Sequence, residues 1–528
     1  MRVLIQGATI IDGSNRPSYQ GDILIEDERI REIGVGLPVA EECEIIAAKG
    51  LVAAPGFIDT HSHSDLKILT EPQVLPKVMQ GITTEVLGQD GISMAPLPMK
   101  YIEDWRKNLA GLDGISDDIS WEYETTERYL NMIEEVVPGV NEAYLIPHGN
   151  IRMEAMGLDN RQPTSQEMKK MCEILRRELE AGGIGLSSGL IYIPCAYSRT
   201  QELIELCKVV AEYQGVFVVH QRSEADDIIP SMKEIIQIGR KSGVNIHFSH
   251  FKVCGKKNWD KLDQMLALLD KAKEEEINVS FDQYPYTAGS TMLSVILPPW
   301  VHAGGAEKLI ERLQDEGIRN RIIEEISIGL PGFDNFIDFA GTDGIFITST
   351  VTEQNQELIG LSLEELGKRK GKHPLQATFD LLVEENNAVG MVNFNGSEEV
   401  LKRLMKREEM NACTDGLLAG KPHPRVYGAY ARILGKYVRE EGALTLEEAV
   451  YKLTYKAAKA MNMKERGLIK EGYYADLTLF DPETILDQGD YVNPIQHPVG
   501  IEYVLINGNL VVKNGVHTGA RSGKVLRR

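Results

Sequence analysis

The sequence predicts an α/β protein: a (β/α)8 barrel, a small β-sandwich unit built from both termini, and an insertion over the barrel mouth. Three observations lead there. The middle of the chain alternates apolar runs with helical stretches such as "SQEMKKMCEILRRELEAGG", the texture of βα units around a parallel sheet. Principal strand ends fall near Asp59, Leu87, Pro147, Ser188, His220, His250, Asp282 and Asp415, which makes eight. Both ends of the chain differ, with short β-like runs between turn signals.

Taken in order, residues 1–57 form the first part of the small β unit through "VLIQGATII", "DILIEDERI" and "GLVAAPG". Residues 58–464 form the barrel. Two extra apolar runs, "IFITST" and "AVGMVNFN", fall between its last two strands, so about 287–375 is assigned in part to an insertion. Residues 465–528 complete the β unit with "ADLTLFD" and "IEYVLINGNLVV" and end in a basic tail.

A formal charge of −21 argues against a nucleic-acid or anionic-membrane partner, which would need a basic surface. Six cysteines are scattered without C-x-x-C spacing, as in a reduced chain. The opening "MRVLIQGATIIDGS" reads as strand and turn, not as a secretory leader, and no apolar run approaches spanning length. A soluble cytoplasmic protein acting on a small molecule is expected, and an oligomer is compatible with that.

The strand ends are unusually polar. In "GFIDTHSHSD" His61 and His63 are two apart, so in an extended chain they share a face. Asp90 closes the second run, His220 ends "VFVVH", His250 ends "VNIHFSH", and Asp415 lies in "NACTDG" at the last. Barrel chemistry sits at the C-terminal strand ends, where these four histidines and two carboxylates would converge. They are ligands for zinc or a similar divalent ion, one or two in number. A lone histidine here would read as a hydrogen-bonded core residue, and Asp415 before glycine as turn chemistry. It is the coincidence that favours a metal. The glycines of "AGGIGLSSG" precede their strand instead of following it, so they are no dinucleotide loop.

The pattern of HxH after strand 1, histidines on strands 5 and 6, and aspartate on strand 8 resembles the amidohydrolase superfamily. Within it, "GLSSGLIYIP", "VVHQRSE", "SHFK", "DQYPYTAGSTML" and "HPRVYGAYARILGKYVRE" resemble the N-acyl-D-amino-acid deacylases, or D-aminoacylases, nearly end to end. The resemblance implies hydrolysis of the amide of N-acyl-D-amino acids, with Asp415 as the proton carrier. It implies Lys252, Tyr284 and Ser290 on the substrate's α-carboxylate and Tyr192 beside the scissile amide. Arg425, in "HPR", is assigned either to the substrate or to its own loop. The family has Gly-Asn-Cys-Gly after strand 2, with cysteine as a ligand; here "GQDG" puts Asp90 there, a harder ligand able to bridge two ions.

Other residues receive plainer expectations. Arg222 and Glu224 could orient the site but read better as a rim ion pair, His148 and His247 read as core or supporting residues, and Cys195, Cys254 and Cys413 as buried small hydrophobes. In family terms the stretch after Ser290 contributes to the side-chain pocket. "STMLSVILPPW" carries no charge, so Leu293, Ile296 and Leu297 predict a preference for apolar side chains. Two rivals remain. A cyclic-amide hydrolase of the hydantoinase or dihydroorotase kind carries a carboxylated lysine on strand 4, where "GIGLSSGL" has none. A non-catalytic scaffold on the same barrel would not need every ligand.

Overall fold

The computed structural model describes residues 2–39, 43–114, 116 and 119–528. Eight strands run in parallel around the barrel: β1 (Phe57–Asp59), β2 (Ile82–Leu87), β3 (Asn141–Pro147), β4 (Gly185–Gly189), β5 (Val216–His220), β6 (Asn245–Phe248), β7 (Val279–Gln283) and β8 (Met410–Ala412). They lie in chain order, β1 beside β2 through to β7 beside β8. Strands such as β5, "VFVVH", are buried throughout, as a parallel sheet covered on its outer face by helices requires.

The helices show why they begin where they do. The helix Ser165–Glu180 opens on a capping box. Thr164 Oγ1 accepts from the Glu167 amide at 3.2 Å, and the Glu167 carboxylate accepts from the Thr164 amide at 2.8 Å.

The barrel closes at its mouth. Beyond β1, Ser62–His63 pairs in parallel with Gly416–Leu417 beyond β8. The Asp415 amide donates to the His61 carbonyl at 2.9 Å. Lower down, the Tyr430 hydroxyl lies 2.7 Å from the Ile58 carbonyl and 3.0 Å from that of Ala412, bridging the two edges. The closing seam therefore carries the HxH pair on one side and Asp415 on the other.

The terminal strands form one nine-stranded sheet. Five strands lie between Arg2 and Pro55 and four between Leu477 and His517, joined where Leu477–Phe480 pairs antiparallel with Val52–Pro55. This unit has its own core, including Val3, Ile5, Ile23, Ile25, Leu477 and Leu505. Between β7 and β8 the chain builds a three-stranded antiparallel sheet from Ala288–Met292, Ile345–Ser349 and Gly390–Phe394. Asp334, in the same excursion, accepts from Ser223 Oγ at 2.6 Å and from the Glu224 amide at 2.7 Å, which ties it to the loop after β5. Among the described residues no helix is long and apolar enough to cross a membrane.

Candidate metal centre

The six polar strand ends meet. His61 Nε2 and His63 Nε2 are 3.3 Å apart, and His220 Nδ1 and His250 Nε2 are 2.9 Å apart. Asp90 stands between the pairs: Oδ2 is 3.8 Å from His61 Nε2 and 3.7 Å from His63 Nε2, while Oδ1 is 3.8 Å from His250 Nε2. Asp415 Oδ1 faces the first pair, 3.7 Å from His61 Nε2 and 3.4 Å from His63 Nε2. All six side chains are buried.

The backbone is bent to aim them. Asp90, His250 and Asp415 have φ values of 56°, 33° and 47°, a region that side chains other than glycine enter rarely and at a cost. The turn carrying Asp90 is held from both ends. A Cβ on Gly88 would lie 2.1 Å from the Leu145 carbonyl oxygen, so only glycine fits. Ser187 Oγ donates to the Gly88 carbonyl at 2.5 Å and accepts from the Gly91 amide at 3.1 Å. His250 is fixed by its amide, which donates to Asp282 Oδ1 at 2.5 Å.

The donor set fits a divalent cation. Asp90 Oδ1 is buried and receives no hydrogen bond, an expensive arrangement for a polar atom with nothing to bind. Burial opposes charge on Asp90, yet His61 and His250 hold its carboxyl well below the usual range. Burial also opposes charge on Asp415, but Arg425 and His250 hold that carboxyl down too. Burial pushes His220 down to about 4, leaving a nitrogen lone pair free at neutral pH. For His250, burial and Lys252 lower the pKa, but Glu224, Asp415 and Asp90 outweigh them and raise it to about 10. Carboxylates that favour a proton on this ring also favour a metal ion beside it.

The expected substrate residues Tyr192, Lys252, Tyr284 and Ser290 border one cavity with five of the six ligands, His61 excepted. Three of them have a protein hydrogen-bond partner. Lys252 Nζ donates to Glu224 Oε1 at 2.9 Å, Ser290 Oγ to the Met391 carbonyl at 2.9 Å, and Tyr192 shares a 2.9 Å hydrogen bond with Thr291. Arg425 does not line the cavity. It is buried behind Asp415, with Nη1 2.8 Å from Asp415 Oδ2 and Nη2 3.0 Å from the Ser290 carbonyl, its guanidinium carbon 4.5 Å above the Tyr284 ring.

The expectation for Glu224 fails. Arg222 pairs with Glu234 at 3.0 Å, while Glu224 is buried, with Oε1 3.1 Å from His250 Nδ1. A residue four beyond a strand end gives no pattern that separates rim from interior. His148 and His247 are supporting residues: His148 bridges Ser188 and Glu202, and His247 Nε2 lies 2.9 Å from Asp282 Oδ2. Of the three residues named for the side-chain pocket, Leu297 borders an adjoining chamber with Met292 and Val295, while Leu293 and Ile296 are buried and do not border it. Ile191, Tyr192 and Phe336 border both cavities.

A model described as the amidohydrolase family matches residues 44–321 and 363–512. The chain is 32% identical to a D-aminoacylase of Alcaligenes xylosoxydans xylosoxydans, over 100% of this chain and 97% of the relative. It is also 32% identical to an N-acyl-D-aspartate deacylase from the same organism, over 99% and 94%. An N-acyl-D-glutamate deacylase from Bordetella bronchiseptica, solved with zinc and a phosphonate inhibitor mimicking the tetrahedral intermediate, superposes with a TM-score of 0.83. It shares 32% identity, covering 100% of this chain and 99% of that one.

Proposed function

This chain belongs to the amidohydrolase family, among its D-aminoacylases, and on that footing we propose that it hydrolyses the amide bond of N-acyl-D-amino acids. The products are a carboxylate and a free D-amino acid. The observation that carries the reading is Asp415, with one oxygen toward the His61–His63 pair and the other on Arg425, at the edge of a cavity bordered by Lys252, Tyr284 and Ser290.

In this reading His61, His63, Asp90, His220, His250 and Asp415 hold one or two zinc or similar divalent ions. When bound there, such an ion would supply polarisation of the scissile carbonyl and a lowered pKa for nearby water. Asp415 takes the proton of the attacking water and delivers it to the departing nitrogen. Arg425 keeps Asp415 ionised, so its oxygen toward the His61–His63 pair carries no proton before the water arrives. Lys252, Tyr284 and Ser290 receive the α-carboxylate, and Tyr192 orients the amide. For that, Ser290 turns its hydroxyl from the Met391 carbonyl, and Lys252 shares its ammonium between Glu224 and the substrate. The scattered free cysteines fit a reducing cytoplasm.

The cyclic-amide alternative finds little support at β4. Ser187 is engaged with the Asp90 turn and Ser188 with His148, and no lysine stands there to bridge metals. A screen of paired N-acetyl-D- and N-acetyl-L-amino acids, with hydantoins and dihydroorotate, tests the proposal on zinc-loaded and chelator-treated protein. Zinc-dependent hydrolysis confined to the D-series is expected. Turnover of only the cyclic amides would overturn it, and no hydrolysis with no bound metal would favour the scaffold.

A further inference from the structure

Beneath the His61–His63–Asp415 group lies an ammonium that no step of the reaction touches. Lys77, in the short helix Leu75–Val78, is fully buried. Its Nζ donates to Asp59 Oδ2 at 2.7 Å, Ser62 Oγ at 2.8 Å and Thr414 Oγ1 at 2.7 Å. An ammonium has three N–H donors, so all are spent on this trio. Glu85 Oε2 stands 3.3 Å away and accepts from Ser62 Oγ at 2.6 Å and Ser64 Oγ at 2.9 Å.

The acceptors come from both sides of the barrel seam. Asp59 ends β1, Ser62 sits between His61 and His63, and Thr414 immediately precedes Asp415. Asp59 reinforces the link, because its Oδ1 accepts from the Thr414 amide at 2.8 Å. Burial works against the charge of Lys77, but Asp59 and Glu85 outweigh it and raise its pKa. The bridge therefore remains an ammonium at neutral pH.

We propose that Lys77 is a positioning residue: it fixes the His61–His63 pair at ligand distance from Asp415 and so sets the affinity of the ion they hold. The inference rests on the metal reading above. Metal–ligand distances tolerate only about 0.2 Å of drift, so two loops that meet through a two-residue strand pair need a pin close to the site. The competing role, simple neutralisation of Asp59 and Glu85, would alter stability and leave metal binding alone.

Three variants separate these roles: Lys77→Met, Thr414→Val, and Thr414→Ser, which keeps the hydroxyl. Each is titrated with cobalt(II), followed by its visible absorption, alongside a thermal melt. Lys77→Met and Thr414→Val are expected to bind cobalt about 10- to 100-fold more weakly, with altered bands, as loss of an outer partner does. Thr414→Ser is expected to retain wild-type binding. Unchanged affinity and spectrum in folded Lys77→Met or Thr414→Val would overturn the inference, whatever the melting temperature. If Lys77→Met does not fold, the Thr414 pair decides by the same criterion. Wild-type protein that binds cobalt yet deacylates nothing would remove the proposed function and leave this test intact; wild-type protein that binds no cobalt would overturn both.

Discussion

Arg425 Nη1 lies 2.8 Å from Asp415 Oδ2, and the guanidinium has no solvent-exposed surface. A buried charge pair of this kind is costly to break from one side, because the remaining partner is left uncompensated. If Asp415 carries the proton as proposed, this contact makes Arg425 its support instead of a substrate ligand. Arg425→Gln should therefore lower kcat by about 10- to 100-fold, as loss of a supporting partner does, with a smaller change in KM. Steady-state kinetics on N-acetyl-D-amino acids decides it: a raised KM at normal kcat would return Arg425 to substrate binding.

Asp415→Asn keeps the shape of the side chain and removes its capacity to take a proton. Turnover should fall by about 10²- to 10⁴-fold, the range a general base supplies. Circular dichroism should remain native, and metal content should stay above that of the Asp90 variant. A kcat near that of wild type would move the base elsewhere.

Asp90 faces both histidine pairs, one oxygen to each. Asp90→Ala should reduce bound zinc per chain, measured by elemental analysis after dialysis, while the melt of chelator-treated protein changes less. Full zinc occupancy in this variant would rule out Asp90 as a ligand.

Asp334 ties the excursion after β7 to the loop after β5, and burial raises its pKa to about 7 against the hydrogen bonds from Ser223 and the Glu224 amide; the carboxylates of Glu224 and Asp226 push the same way as burial. A carboxyl whose pKa rises on folding contributes stability at low pH and loses it as pH climbs from about 4, its unfolded value, through 7. Amide exchange in residues 330–340, corrected for intrinsic rate, should thus be faster at pH 8 than at pH 5.5, and Asp334→Asn should flatten that difference. Equal protection of the wild type at both pH values would refute the link.

Among the described residues, the chamber beside the site offers an acidic substrate side chain no free cation. Arg222 is spent on Glu234 and on the carbonyls of Ala196 and Ser198, and burial pushes His302 down to about 4, so it is neutral. An unpaired carboxylate there would be expensive, whereas apolar burial against Met292, Val295 and Leu297 gains about 25 cal/mol per Å². N-acetyl-D-leucine should have a higher kcat/KM than N-acetyl-D-glutamate. The reverse order would mean that a cation from another segment enters the pocket.

Much of this was legible in the residue order. The apolar runs placed the eight strands to within a few residues, since their periodicity follows from burial that each segment experiences by itself. His61, His63, Asp90, His220, His250 and Asp415 stood out because polar groups ending apolar runs are visible without coordinates.

What the sequence determined alone is the barrel, from the local pattern of apolar runs, and the family, from its resemblance to known motifs along the chain. Tertiary structure alone decided which charges face one another. Glu224 went inward to His250 and Lys252 instead of outward to Arg222, Arg425 went behind Asp415, and Lys77 took up Asp59 and Ser62 together with Thr414, 337 positions away. The physical reason is that buried charges choose partners by distance in a water-poor interior, where a few ångströms outweigh any separation along the chain.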